Sequence, residues 1–324
     1  CEEFFFISTE KGESQGYQVS CDRAYEIDYK QQKEYAEQVI LNADAVIFGA
    51  CPSSLIDIRM KENKLSFIYS ERFFKKGTWR RFIPKTRKAI FNRVVKYKNH
   101  NLFVLCASSF LSYDLSLLGF PVSKCFKWGY FPKTEVVSVD DICSKKENSI
   151  LWAGRLIDIK HPETAIYVAK YLKKNNICFN MNIVGDGEKK GIIERLINKY
   201  NLQNEVKLLG SKKHEEVLEL MKQHKIYLFT SNFYEGWGAV LNEAMSSGCA
   251  VVTSHAVGSV PFLINDGVNG TVYRYGSSNS AKLAVKKLIE DDEVCRKYSE
   301  NAIKTISEYD YKTAAYRLMA FINE

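Results

Sequence analysis

The strongest constraint on this chain lies in its second half, where apolar runs of strand length alternate with helical patterns. The runs are 149–153, 179–184, 205–209, 226–230 and 250–253, and each is followed by an amphipathic helix or by turn residues leading into one. Strands that are apolar throughout need cover on both faces, and strand–helix alternation supplies it by winding a parallel sheet with helices on either side. Pro162 suits the first position of a helix, after which Ala165, Val168, Ala169 and Leu172 share one face at helical spacing. The first half has a looser version of the same grammar. Strand-like runs occur at 43–48, 65–69 and 101–106, with helical patterns at 33–42 and beyond residue 72.

At 324 residues the chain is too long for one small core, and two domains are expected. We expect two doubly wound α/β domains facing a cleft: residues 1–135, a connection at 136–148 marked by turn and polar residues, and 149–308. A last helix at 309–324 is expected to pack back towards the first domain. No stretch approaches 18 consecutive apolar residues, so no membrane-spanning helix is expected. The opening Cys1-Glu2-Glu3-Phe4-Phe5-Phe6 has no basic region and no cleavage site, unlike a signal peptide. It reads as a strand entered midway, and a preceding piece, including a first strand, is expected. The nine cysteines are an odd number, scattered and without C-x-x-C spacing. Reduced thiols in a cytoplasmic compartment fit that usage.

The net charge of +8 is unevenly placed. Between Arg72 and Lys98 stand eleven cations and no acid, so the rest of the chain sums to 8 − 11 = −3. Trp79, Phe82, Phe91 and several aliphatic residues are interleaved with them. This pattern suits either a solvated helix face or an anionic surface, and we expect it to meet an anionic membrane.

The most informative segment runs from Ser231 to Gly248 and follows an apolar strand, so it leaves the edge of a sheet where ligands bind in open α/β folds. Gly236 and Gly238 allow close backbone approach, and a helix is expected from near Ala239 to Gly248, a natural terminating glycine. Amides at such a helix start favour phosphate. Glu243 would sit one turn into the helix among small and apolar neighbours, where a carboxylate must be paired or bound.

The run Glu-Gly-Trp-Gly-Ala-Val-Leu-Asn-Glu-Ala-Met from Glu235 resembles the E-x7-E motif of retaining glycosyltransferases of family 4, which have the GT-B fold. Three more segments resemble the same family: Gly154-Arg155-Leu156-Ile157-Asp158-Ile159-Lys160, Ile183-Val184-Gly185-Asp186-Gly187, and the loop and hairpin from Val257 to Gly270. Together they cover nearly all of 149–275. The resemblance implies that 149–308 binds a nucleotide-sugar donor and 1–135 the acceptor. It implies catalytic roles for Arg155 and Lys160 on the departing diphosphate and for Glu235 on the donor hexose. Glu243 would accept the ribose hydroxyls, amides of Gly236, Trp237, Gly238 and Ala239 would cap phosphates, and Gly154, Gly185 and Gly187 would line the nucleotide.

In the first half, phrases such as Ile68-Tyr69-Ser70-Glu71-Arg72 and Lys127-Trp128-Gly129-Tyr130-Phe131-Pro132 are similar to a bacterial surface-polysaccharide subgroup. The acceptor is then expected to be lipid-linked or a saccharide, and the location peripheral, on the inner face of the cell membrane. His100 is the only histidine of this half and reads as structural; Glu71 is the candidate for the acceptor side. Phe262 stands where the family often has Glu. No D-x-D element follows a strand, so no metal and no further cofactor are expected.

Three rivals are weaker. A dinucleotide oxidoreductase would need a third glycine one residue before Gly191 and an acid at a strand end, whereas Glu205 precedes a strand. A non-enzymatic polyanion binder leaves the E-x7-E segment unexplained, and no nucleic-acid-binding motif is present. A sugar-nucleotide epimerase or a phosphorylase on the same fold is the third, and a phosphorylase needs far more chain.

Overall fold

The computed structural model describes residues 3–9, 25–133 and 135–323. Its contacts divide the chain into two compact units. One holds the chain up to Cys106, Phe110–Trp128 and the residues from Ala315; the other holds Ala107–Ser109 and Gly129–Ala314. Among the described cysteines, Cys51, Cys106, Cys125, Cys143, Cys178, Cys249 and Cys295 are free thiols; Cys1 and Cys21 lie outside the described residues.

The first unit contains β1 (Phe6–Ser8) and β2 (Glu26–Asp28), a parallel pair, and a parallel sheet of β3 (Val46–Phe48), β4 (Ser66–Ser70), β5 (Leu102–Cys106) and β6 (Cys125–Lys127) in that order. Helices Lys33–Asn42 and Ser53–Lys61 pack together beside it. Between them Arg59 is fully buried, an expensive placement for a cation unless every donor is used. Its guanidinium donates to the carbonyls of Ile40 (2.6 Å), Asp44 (2.9 Å) and Leu65 (2.9 Å) and to Ser66 Oγ (3.1 Å). From the last helix, Tyr311–Asn323, Phe321 stacks on Phe126 with ring centroids 4.2 Å apart.

The second unit is built on β7 (Lys146–Ala153), β8 (Asn180–Val184), β9 (Val206–Leu208), β10 (His224–Phe229), β11 (Ala250–Ser254) and β12 (Thr271–Tyr273). All pairings are parallel and the spatial order is β12-β11-β10-β7-β8-β9. Alternation along β7 shows why the run is apolar throughout. Ile150 and Trp152 enter one core layer with Ala165, Val168, Ala169 and Leu172 of the helix Glu163–Lys174. Leu151 and Ala153 enter the other with Tyr227, Trp237, Leu241 and Ala244.

Three local expectations need correction. Residues 136–148 are more regular than their polar composition suggests. Ser138 and Asp141 form a reciprocal capping box that starts a helix at Val139–Cys143, and β7 begins at Lys146. The basic stretch is no single helix, because Pro84 cannot continue one: a 3-10 turn at Thr78–Phe82 gives way to the helix Pro84–Arg93 and a second turn at Val95–Tyr97. Finally, 265–270 is a tight loop closed by Gly267 N–H to Gly270 O at 2.9 Å rather than a hairpin, and β12 runs parallel to β11.

Candidate active site

The sheet of the second unit starts at β7, steps outward through β8 and β9, then returns to β10 on the other side of β7. The strand order therefore reverses between β7 and β10, and in an open parallel sheet that crevice beyond the carboxyl ends is where ligands sit. The loop after β7 carries Gly154, Arg155 and Lys160, and the loop after β10 carries Glu235 to Ala239.

Lys160 ends a short 3-10 turn, Asp158–Lys160, and its ammonium makes an ion pair with the Glu235 carboxylate. It also lies 5.8 Å from the centre of the Phe229 ring. Both charged side chains are more than four-fifths buried, so neither can lose its partner cheaply. The two loops are also sewn together by backbone and core groups. Asn232 N–H donates to Ile159 O at 3.0 Å, Thr230 hydroxyl donates to Lys160 O, and Trp152 Nε1 donates to Thr230 Oγ1 at 2.7 Å.

Gly185 and Gly187 act as spacers under the β7 loop. A Cβ on Gly185, at φ +136°, would lie 1.9 Å from Gly154 O, and one on Gly187 would lie 2.6 Å from Leu156 O. The loops are in backbone contact, with Leu156 N–H donating to Asp186 O at 2.8 Å. Arg155 is exposed and makes no ion pair among the described residues.

Gly238, at φ +82°, packs against the Phe229 ring, where a Cβ would come within 2.7 Å. The helix beyond it is Val240–Ser246. Glu243, in its first turn, lies 4.0 Å from His214 Nε2 and accepts no hydrogen bond at its carboxylate among the described residues. Burial pushes its carboxyl above the ordinary range, with His214 opposing only in part. Glu235 and Glu243 both act electrostatically on buried Tyr227, whose hydroxyl donates to Ala153 O at 3.0 Å. Trp237 contributes differently from a ligand-facing side chain. Its indole is fully buried, donates to Asn242 Oδ1 at 2.9 Å and stacks on Tyr309 at 5.9 Å, so only its main chain could reach a ligand.

Sequence reasoning missed a brace behind Lys160. His161 adopts a left-handed conformation, φ +46°, with Nδ1 3.2 Å from Glu163. Its Nε2 lies 3.0 Å from both Asn232 Nδ2 and Tyr275 Oη. Lys189 pairs with Asp158 at 2.6 Å and Glu163 at 3.0 Å. Burial works against ionisation of Glu163, but hydrogen bonds from His161 and Lys189 and the lysine charge outweigh it and hold the carboxyl at about 2. The partners of His161 lie up to 114 positions away from it, and no local pattern announces them.

The remaining candidates have local partners of their own. Glu71 pairs with Lys75 at 2.5 Å, and the His100 ring stands edge-on to Tyr97 at 5.4 Å. Phe262 lies 6.0 Å from Trp237, between ring centres. Glu205 precedes β9, at the edge opposite the crevice, and pairs with Lys173 at 2.9 Å, which leaves the dinucleotide reading without its acid.

Comparison with known proteins gives the family and the fold. Residues 141–305, just over half of the chain, match the family model described as glycosyl transferases group 1. The chain belongs to that family. It is 26% identical over 251 residues to the amylovoran biosynthesis glycosyltransferase AmsK of Erwinia amylovora, covering 75% of this chain and 60% of that protein. It is 28% identical over 173 residues to the N-acetylgalactosamine-N,N'-diacetylbacillosaminyl-diphospho-undecaprenol 4-alpha-N-acetylgalactosaminyltransferase of Campylobacter jejuni, covering 53% and 46%. The chain thus spans about half the length of the curated relatives it matches. Among solved structures, HepE of Anabaena in complex with UDP superposes with a TM-score of 0.70 at 18% identity, covering 90% of this chain and 81% of that one. The fold is GT-B: two parallel α/β units of the Rossmann type.

Proposed function

We propose that this chain is a retaining glycosyltransferase. In this reading it moves a hexose-type sugar from a nucleotide-diphosphate sugar to a lipid-linked or saccharide acceptor. Surface polysaccharide synthesis is the process it would serve, on the inner face of the cell membrane. The observation that carries the reading is Glu243, a largely buried carboxylate without a hydrogen bond, beside the crevice where Lys160 and Glu235 meet. A carboxylate kept dry at such a place costs stability until a ligand offers hydroxyls to it, and a ribose offers two.

The other roles follow from charge and position. Bond cleavage at the anomeric carbon leaves negative charge on the diphosphate, and the Arg155 and Lys160 cations stand in the loop that would meet it. Glu235, already held by Lys160, would accept hexose hydroxyls. The main chain of Gly236 to Ala239 would complete the phosphate contacts, and Gly185 and Gly187 would border the nucleotide. Two cations can neutralise the leaving group without a divalent metal, so activity is expected to survive chelation. AmsK is named for polysaccharide synthesis, the Campylobacter protein for an undecaprenol-linked substrate, and HepE holds UDP; these support the acceptor class and make UDP the first nucleotide to try.

The test is a thermal-shift series of nucleoside diphosphates and their sugars, followed by nucleotide release with a lipid-linked or saccharide acceptor. A ligand at 100 times its Kd adds about 2.7 kcal/mol. If no nucleotide stabilises the protein, or if EDTA abolishes release, the reading fails at the donor site or at the metal-free step respectively.

A further inference from the structure

The eleven cations between Arg72 and Lys98 fall into two populations. Four are used within their own unit. Arg72 is buried against Asp114 at 3.0 Å, Lys75 pairs with Glu71, Lys96 pairs with Asp57 at 2.8 Å, and Arg93 donates to the carbonyls of Cys51 and Gly49. The other seven, Lys76, Arg80, Arg81, Lys85, Arg87, Lys88 and Lys98, make no ion pair among the described residues.

Among these outer cations three aromatic rings stand in solvent: Trp79 is 58% exposed, Phe82 70% and Phe91 49%. Their exposure follows from the local structure. In the helix Pro84–Arg93, Ile90 is buried, which turns Lys88 and Phe91 outward together, three residues apart. The Trp79 indole is held in place, since its N–H donates to Lys76 O at 3.0 Å and its ring leans on Gly77, where a Cβ would come within 2.9 Å. Arg81 lies 4.5 Å over the Phe82 ring, and Arg80 lies 6.0 Å from Trp79.

We infer that this surface is a shallow insertion site for an anionic lipid bilayer, with Trp79 and Phe82 entering the interfacial layer while the outer cations meet headgroup phosphates. The inference deepens the membrane part of the function proposed above and rests on it. Two features favour lipid over a nucleic acid. Trp79 and Phe82 are more exposed than Arg80 and Arg81, so apolar tips lead and charges follow, as an interfacial layer requires. One face of the Phe82 ring is also covered by the Arg81 guanidinium, which leaves less of the ring for base stacking. An indole prefers the headgroup level, where its ring is dry and its edge is wet.

The chain supplies its own probe. Of its four tryptophans, Trp128, Trp152 and Trp237 are buried, and Trp79 alone is exposed. With phosphatidylglycerol vesicles, Trp79 emission is expected to shift to the blue and to be quenched by acyl chains brominated near the headgroup. Phosphatidylcholine vesicles should produce neither effect. Phe82→Ala should weaken vesicle affinity about tenfold with the salt dependence kept. Changing Lys85 and Lys88 to Glu should weaken it by about fivefold or more per site and flatten that dependence.

Salt-sensitive vesicle binding without quenching, or binding untouched by Phe82→Ala, would overturn insertion and leave electrostatic docking standing. No vesicle binding at all would overturn the membrane reading itself. A blue shift of equal size with single-stranded RNA would make the surface a polyanion site instead. Nucleoside diphosphate stabilisation of the same variants, measured in parallel, shows that the donor-side reading survives or fails separately.

Discussion

Lys160 and Glu235 are 75 residues apart in the chain and meet as an ion pair over the point where the strand order of the second sheet reverses. Each reaches that point from a different strand, Lys160 beyond β7 and Glu235 beyond β10. Lys160→Ala is therefore expected to do more than remove a cation. It leaves Glu235 uncompensated, and turnover should fall on the order of 100-fold or more with little change in donor KM. Arg155→Ala, which breaks no pair, should lower turnover without destabilising the fold. Steady-state kinetics with melting curves distinguishes the two; equal losses of stability would contradict the assignment.

Glu243 carries the sharpest prediction. Its folded carboxyl titrates above the ordinary range, so the apo protein loses stability as pH rises from the unfolded value through the folded one. Glu243→Gln should then melt higher than wild type at neutral pH while binding nucleotide more weakly, by about 1.5–3 kcal/mol. Calorimetry with UDP beside thermal melts reads both changes. A purely structural carboxylate would lower both or neither.

Glu163 has the opposite sign. Its folded carboxyl sits at about 2, below the ordinary value, so its contribution is complete above the ordinary carboxylate range and disappears as pH falls towards 2. Glu163→Gln should cost up to about 3 kcal/mol at pH 7 and far less near pH 2. Urea titrations at both ends of that window measure the difference, and a gap that does not close on acidification would locate the stabilisation elsewhere.

Gly185→Ala tests the contact between loops. A methyl group there meets Gly154 O at 1.9 Å in a conformation that side chains rarely adopt, and overpacking of this kind costs about 1–3 kcal/mol before any strain is added. Gly276→Ala is a useful control. It shares a positive φ, but its added methyl has nothing within 4 Å. The first variant should lose clearly more stability than the second in chemical denaturation.

Much of this was readable before any coordinates, and the reason is periodicity. Ala165, Val168, Ala169 and Leu172 announce one helix face because burial repeats every 3.6 residues, and all four are fully buried. The strands were legible because both faces of the sheet are covered. The helix started by the Ser138–Asp141 capping box was not read, because at Val139–Cys143 it is too short to show a period. What could not be read is whatever depends on distant partners. The basic stretch looked uniform because Asp57 and Asp114, which neutralise part of it, lie outside it. The brace on His161 draws on residues 163, 232 and 275, and its left-handed backbone belongs to a residue type that gives no warning of it.

That brace has a thermodynamic consequence. Asn232 and Tyr275, from the loops after β10 and β12, and Glu163, at the start of the next helix, meet one imidazole through side chains that are not themselves assigned to the ligand. The loops therefore owe their order to the polypeptide itself. Association should accordingly proceed without a folding step: a single exponential in stopped flow, with a heat-capacity change set by the surface the nucleotide itself buries. Selectivity among nucleotides would then reside in how fast each one leaves a socket already shaped to receive it.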